Sequence, residues 1–447
     1  MTRQIDRRSL IKGAAGAGAG LAVASSAGIA AGRSTTFSAP ALIQATGSTV
    51  EVTYWTSFGS GPNGEAQTAL IEKFNQSQTD VRVVAQTLAD YEEVAAQLVS
   101  GLQTGDFPDM ATLSDVWWFR FYLAEALADL TPLLSADAKP EDYVQSLYKE
   151  YQRAGGQYGI PFARSTPLFY YNAEAVERSG VSPDVFKTWS TFREAAPDLI
   201  SGSGLEAAFA FGNAASYGAW VLHGPVWAFG GRYSDADFNI LVTDEGSVKA
   251  GEFMREFVSS GNAITVDDPE IDFANGVSLA IMASTGSLAE LRSTAQFDFR
   301  TAFLPEEQTF GCPTGGAGLS VMAGAPEERK AAAMRFIEFS TSTEETTIWS
   351  QATGYMPVRT SAIESPDEVA YLDENPNAKT AVEQLPKTQP QDSARVFIPN
   401  GDQILGRGWE EILVNNRPAA EVWAEVQADL EPEAQAVKEQ VQAIEGQ

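Results

Sequence analysis

Between Val50 and Asp115 the chain alternates a two-residue hydrophobic period with a helical one, and this alternation restricts it to layered α/β folds. Val50, Val52 and Tyr54 alternate as a strand does, and Gly59-Ser60-Gly61-Pro62-Asn63-Gly64 interrupts the pattern before Ala66, Leu70 and Phe74 mark one helical face. Val81 to Val84 reads as a second strand. Tyr91, Val94, Ala95, Leu98 and Leu102 form a second helical stripe that Gly105 and Pro108 terminate, and a short strand then leads to Asp115. In open sheets of this kind ligands sit outside the carboxyl ends of strands, so Ser57 to Gly64, Asp90-Tyr91 and Ser114-Asp115 are expected to face one cleft.

A length of 447 residues with 44% apolar content predicts two domains with a full core. No Pro- or Gly-rich linker, tandem repeat or heptad run follows the N-terminal region, so the two lobes are expected to be joined by short crossings. The tail from Ala419 to Gln447 carries Val422, Val426, Leu430, Ala434 and Val437 at helical spacing and reads as an amphipathic helix with a connecting turn. A formal charge of -29, from 59 acidic against 30 basic residues, excludes nucleic acid and anionic membrane surfaces as partners. The single histidine, His223, and the single cysteine, Cys312, cannot build a Cys/His metal site or a disulfide. His223, beside Gly224-Pro225, reads as a turn residue and Cys312 as a small buried hydrophobe. Gly-x-Ser-x-Gly, His-Glu-x-x-His and the Walker lysine loop are absent, and neither a cofactor nor catalysis is expected. The enzymatic alternative is an exported glycoside hydrolase with two carboxylates across a cleft. A monomer is expected.

Residues 1–41 read as an export signal. Asp6-Arg7-Arg8-Ser9-Leu10-Ile11-Lys12 matches the twin-arginine pattern, Gly13 to Ala31 is too weakly apolar to span a membrane, and Ala39-Pro40-Ala41 suits signal peptidase. No cysteine lies nearby to accept a lipid, so the mature chain is expected in the periplasm or extracytoplasmic space and not as a lipoprotein.

Four segments carry a family resemblance across nearly the whole mature chain. They are Pro161-Phe162-Ala163-Arg164-Ser165-Thr166-Pro167-Leu168-Phe169-Tyr170-Tyr171-Asn172, Met282-Ala283-Ser284-Thr285-Gly286-Ser287-Leu288, Gly315-Gly316-Ala317 and Thr353-Gly354-Tyr355-Met356-Pro357. The chain resembles extracellular solute-binding proteins of the family-1 type, which serve ABC importers. With Tyr371-Leu372-Asp373-Glu374-Asn375-Pro376, the segments most resemble the branch that binds glycerol-3-phosphate and glycerophosphodiesters; sugar binders are the next class. The resemblance implies a periplasmic-binding-protein fold, two α/β lobes closing over a ligand and delivering it to membrane permease subunits. It places residues 48–165 and 299–339 in lobe 1 and 166–298 and 340–447 in lobe 2, with crossings near Ser165, Arg292 and Phe339. By the same resemblance, the ligand would meet Tyr91, Asp115, Ser165, Tyr217, Trp220, Ser284, Gly316 and Tyr355.

Those residue types suit a glycerol phosphate, a glycerophosphodiester such as glycerophosphocholine, or alternatively an oligosaccharide or polyol. Asp115 accepts from vicinal hydroxyls, while Ser165, Ser284, Tyr91, Tyr355 and the Gly316 amide donate to phosphate oxygens. Tyr217 and Trp220 offer aromatic faces to ligand carbons or to a choline-like group. One departure concerns the phosphate: the branch carries an arginine just after Gln-Ile in a late helix, where this chain has Gln403-Ile404-Leu405. Arg164, beside Ser165, and Arg407 are the candidate replacements.

Overall fold

The computed structural model describes residues 49–446 except Ala214; the expected export signal lies outside the described residues. Two five-stranded sheets form the centres of two lobes. The first has the order β2-β1-β3-β12-β6, comprising β1 (Val50–Thr56), β2 (Val81–Thr87), β3 (Met110–Ser114), β6 (Ile160–Ser165) and β12 (Gly315–Val321). The second has the order β11-β7-β10-β8-β9, from β7 (Pro167–Asn172), β8 (Ala207–Gly212), β9 (Ala263–Val266), β10 (Ser278–Ser284) and β11 (Phe299–Ala302). A short hairpin, β4 (Gln152–Arg153) with β5 (Gly156–Gln157), precedes the β6 crossing strand.

The opening alternation folds as its periodicity predicts. Val52 and Tyr54 are fully buried on β1, and Val94, Ala95 and Leu98 face the core from the helix Tyr91–Thr104, which Gly105 ends in the left-handed conformation. The glycine-rich stretch is shorter as a loop than its composition suggests, because the helix Gly61–Ser77 already begins at Gly61. Ser60 is extended and Pro62 occupies the first turn, where a missing N–H costs nothing. The tail forms one continuous helix, Ala419–Glu445, with no turn at Pro432. Val422, Val426, Leu430, Ala434 and Val437 stay buried along its whole length, and that packing outweighs the one backbone bond the proline removes.

The chain first crosses between the sheets at Thr166, between β6 and β7, as expected. The other boundaries shift. Strand β11 pairs antiparallel with β7 and belongs to the second lobe, so the return crossing follows Ala302 and is not near Arg292. The helix containing Phe339, Glu327–Ser340, packs under the first sheet, where Phe336 meets Tyr54. The helix Thr343–Thr353 stays in that lobe, with Lys73 bonded to Glu345 at 2.5 Å and Trp349 against Phe58. The chain regains the second lobe only by the helix Pro376–Gln384, where the Asn377 side chain accepts from the Thr301 amide of β11. Hydrogen bonds and ring contacts specific to each sheet, invisible in the hydrophobic period, decide these assignments. No helix among the described residues is long and apolar enough to cross a membrane.

Candidate functional site in the interlobe cleft

Loops at the carboxyl ends of β1, β2, β3, β8 and β10 converge between the lobes. Asp90 caps the helix Tyr91–Thr104 by accepting the Glu93 amide at 2.8 Å, which fixes Tyr91 at the helix entrance. The Tyr91 hydroxyl lies 3.4 Å from that of Tyr355, and Tyr355 stacks on Trp349 at 18° between ring planes. Burial holds both phenols above their ordinary pKa, so they remain protonated donors at neutral pH. A Cβ at Gly286 would come within 2.7 Å of the Tyr355 ring, so only a glycine lets the end of β10 approach this closely.

Ser284 at the end of β10 is held at three atoms. Its Oγ accepts the Gly286 amide at 3.0 Å, its carbonyl accepts from the Tyr170 hydroxyl at 2.7 Å, and its N–H donates to the Tyr217 hydroxyl at 2.9 Å. Tyr217 in turn donates to Glu270 at 3.0 Å, and Glu270 also accepts from Ser287. With its hydroxyl engaged on both sides, Tyr217 has its ring to offer, 5.6 Å from that of Trp220. The Trp220 indole N–H donates to the Thr314 carbonyl at 3.0 Å, and its ring lies where a Cβ of Gly315 would stand. Gly316 takes φ = 90°, and a side chain there would collide with the Ala163 carbonyl. Ser165, buried at the end of β6, is the register partner of Gly315. The Gly316 carbonyl accepts the Asp115 amide at 3.0 Å. The eight residues drawn from the resemblance are thus linked to one another by these contacts.

Asp115 joins this surface to a segment that sequence reasoning missed. Its carboxylate accepts from the Gln391 side-chain amide and, at 3.5 Å, from Nη1 of Arg395, both on the second lobe; Arg395 also donates to Gln391. Between these two residues Asp392 acts as an anchor, accepting from Trp227 Nε1 at 3.1 Å, Arg232 Nη1 at 2.8 Å and the Tyr233 amide at 2.8 Å. His223 Nε2 lies 2.9 Å from the same carboxylate. His223 is therefore no turn residue: it begins the helix His223–Ala228 and is fully buried between the rings of Trp227 and Tyr233. Cys312 is buried and unpaired, as expected.

The two arginines anticipated from sequence differ in their surroundings. Arg164 is fully buried, paired with Glu150 and donating to the Tyr151 hydroxyl at 2.9 Å, so its guanidinium is already neutralised within the first lobe. Arg407 lies exposed on the helix Gly401–Leu413, whose opposite face buries Leu405. The Asp115 carboxylate acts on the Arg164 guanidinium from a distance, while that guanidinium stays bonded to Glu150 and Tyr151. The only sequence signal for Arg395 was its i, i+4 spacing from Gln391, the separation at which helical side chains meet.

A family profile described as bacterial extracellular solute-binding protein matches residues 69–380. The chain belongs to the bacterial extracellular solute-binding proteins. These are the substrate-binding components of ABC importers and act outside the cytoplasm. Among its relatives, the sn-glycerol-3-phosphate-binding periplasmic protein UgpB of Salmonella typhimurium is 27% identical over 363 residues, 76% of this chain and 82% of that protein. A crystal structure of UgpB from Mycobacterium tuberculosis in complex with glycerophosphocholine superposes with a TM-score of 0.81 at 38% identity, covering 86% of this chain and 98% of that one. The cyclic alpha-maltosyl-1,6-maltose binding protein of Arthrobacter globiformis shares the fold at 20% identity, with a TM-score of 0.76 over 87% of this chain and its own full length. The Tyr91–Arg395 surface brings together residues of both lobes.

Proposed function

We propose that this solute-binding protein captures a glycerophosphodiester such as glycerophosphocholine, or glycerol-3-phosphate, and delivers it to an ABC permease without chemical change. The observation that carries the reading is the reach of Arg395 from the second lobe to Asp115 on the first, within a cleft walled by Tyr91, Tyr355 and Trp220. Arg395 supplies the cation that Leu405 cannot, and a guanidinium suits a phosphate through two parallel bonds. Asp115 retains acceptor capacity for glycerol hydroxyls, Ser165, Ser284 and Gly316 complete the polar side, and Trp220 with Tyr217 covers the carbon face. The similarity to the Mycobacterium tuberculosis protein bound to glycerophosphocholine supports the same ligand class.

Lobe closure follows from contacts that only the closed form makes to both lobes, so ligand shifts a pre-existing equilibrium. The same reading takes residues 1–41 as a twin-arginine signal, and a Lys-Lys replacement of Arg7-Arg8 should abolish export in a fractionation assay. Titration calorimetry on residues 42–447 with glycerophosphocholine, glycerol-3-phosphate, maltose and trehalose tests the ligand. Heat of binding with the glycerophosphates is expected, and the ligand should be recovered intact after denaturation. Binding to the sugars alone would overturn the phosphate assignment, and a hydrolysed diester would overturn the receptor assignment.

A further inference from the structure

The helix Ala419–Glu445 is fixed to the second lobe along most of its length and ends on the first. The Ala419 amide donates to Glu252, Trp423 meets Trp409 edge to face at 87°, and Leu430, Ala434 and Val437 are buried. The far end reaches the first-lobe helix Trp118–Leu123. There Glu445 accepts from Arg153 Nε at 2.7 Å and from the Tyr122 hydroxyl at 3.3 Å. We infer that this helix is an interlobe strap: the bonds of Glu445 to Arg153 and Tyr122 favour the closed form even without ligand, and so set ligand affinity from outside the ligand surface. The inference rests on the lobe closure proposed above and on no particular ligand.

Three observations carry it. The anchor is rigid: a continuous helix of 27 residues spans about 40 Å, so its tip moves with the second lobe and cannot follow the first. A relative displacement of about 1 Å already takes the 2.7 Å contact past hydrogen-bond range. The receiving surface is set by first-lobe packing. Arg153 stands over the Phe119 ring at 5.4 Å, Phe119 stacks on Tyr122, and Tyr122 packs on Tyr158 at 4.6 Å. Burial and the nearby Glu445 push the Tyr122 phenol up to about 12, which keeps it a donor at neutral pH. The contact also coincides with closure, because the arrangement that brings Glu445 to Arg153 brings Arg395 to Asp115 across the cleft. A second first-lobe arginine repeats the polarity, Arg120 donating to Asp402 of the second lobe at 3.4 Å. A bond made only in one arrangement raises its population, and apparent affinity rises with the binding-competent fraction.

Charge reversal tests the strap. The Arg153 and Glu445 side chains keep 25% and 24% of their surface accessible, so reversal is compatible with the fold and salt reaches the pair. Calorimetric dissociation constants for glycerophosphocholine, and small-angle scattering without ligand, would be recorded for the wild type, Arg153→Glu, Glu445→Arg and the double reversal. Each single reversal should weaken binding by about fivefold and enlarge the radius of gyration of the ligand-free protein, and both effects should shrink in about 1 M NaCl. The double reversal should bind within about twofold of wild type and regain its radius. Single variants that keep the wild-type affinity or radius, or a double reversal as impaired as the singles, would overturn the strap. Wild-type protein that ignores glycerophosphocholine would overturn the ligand assignment alone, and the radii, which need no ligand, would still decide the strap.

Discussion

Arg164 and Arg395 are both buried arginines at the edge of one cleft, yet Arg164 has its counter-ion in its own lobe and Arg395 in the opposite one. Arg164 sits on the crossing strand with its carboxylate partner, Glu150, in the same lobe, and Tyr151 takes a second N–H. Burial pushes the Glu150 carboxyl above its ordinary range even with the guanidinium beside it, and the pair is a fixed internal unit. Arg395 instead bonds across the cleft to a carboxylate on the other lobe, so the bond must break whenever the lobes part. A buried guanidinium is available to a ligand when its counter-ion belongs to the moving partner and not to its own rigid body.

The largest effect is expected where the internal pair is cut. Arg164→Leu leaves Glu150 buried without a counter-ion, and urea unfolding should show a loss of about 3–5 kcal/mol. Glycerophosphocholine affinity of the folded fraction should change by less than threefold, and a selective loss of affinity with unaltered stability would reverse the roles assigned to the two arginines. The next effect is on binding. Arg395→Gln should weaken glycerophosphocholine by about 100-fold, within the roughly 2–5 kcal/mol seen when one partner of a buried charged contact is removed, and should flatten the dependence of affinity on salt. Unchanged affinity would break the comparison at its centre.

A smaller effect concerns the anchor of the Arg395 segment. Burial holds the His223 imidazole below its ordinary pKa, while Asp392, despite a burial that would raise it, is held below the usual carboxylate range by His223 and Arg232. A histidine whose folded pKa is depressed adds stability above its unfolded value, and that contribution disappears as pH falls through the folded one. The melting temperature of the wild type should therefore fall more steeply between about pH 7 and about pH 5 than that of His223→Gln, which keeps a donor to Asp392 but does not titrate. Parallel pH profiles would remove His223 from the anchor. The smallest effect belongs to Arg407→Ala, which should change stability by less than about 0.5 kcal/mol and leave affinity alone, as an exposed helix position does.

The contrast also explains which parts of the site were legible in advance. Tyr91, Asp115 and Ser284 follow strand ends or open helices, places that periodicity and turn chemistry mark in the sequence. Tyr217 was anticipated as an aromatic wall, but its hydroxyl bonds to Glu270 and Ser284 follow only from the packing of three distant segments. Arg395 escaped notice because the four-residue helix Ser393–Val396 is too short for a period, and its partners lie at positions 115 and 391. His223 was misread because Gly224-Pro225 is turn chemistry, whereas proline near the start of a helix is also well tolerated.

The sequence by itself determined the α/β class, the first strands and helices, the acidic surface and the family, because these depend on local period, composition and contiguous segments. Tertiary structure decided the lobe to which β11 and the helix Thr343–Thr353 belong, the engagement of Arg164 with Glu150, and the arrival of Arg395 at Asp115. Those outcomes depend on contacts between residues far apart in the chain, and the energy of a buried charge is set by its nearest counter-ion in space, which no local pattern records.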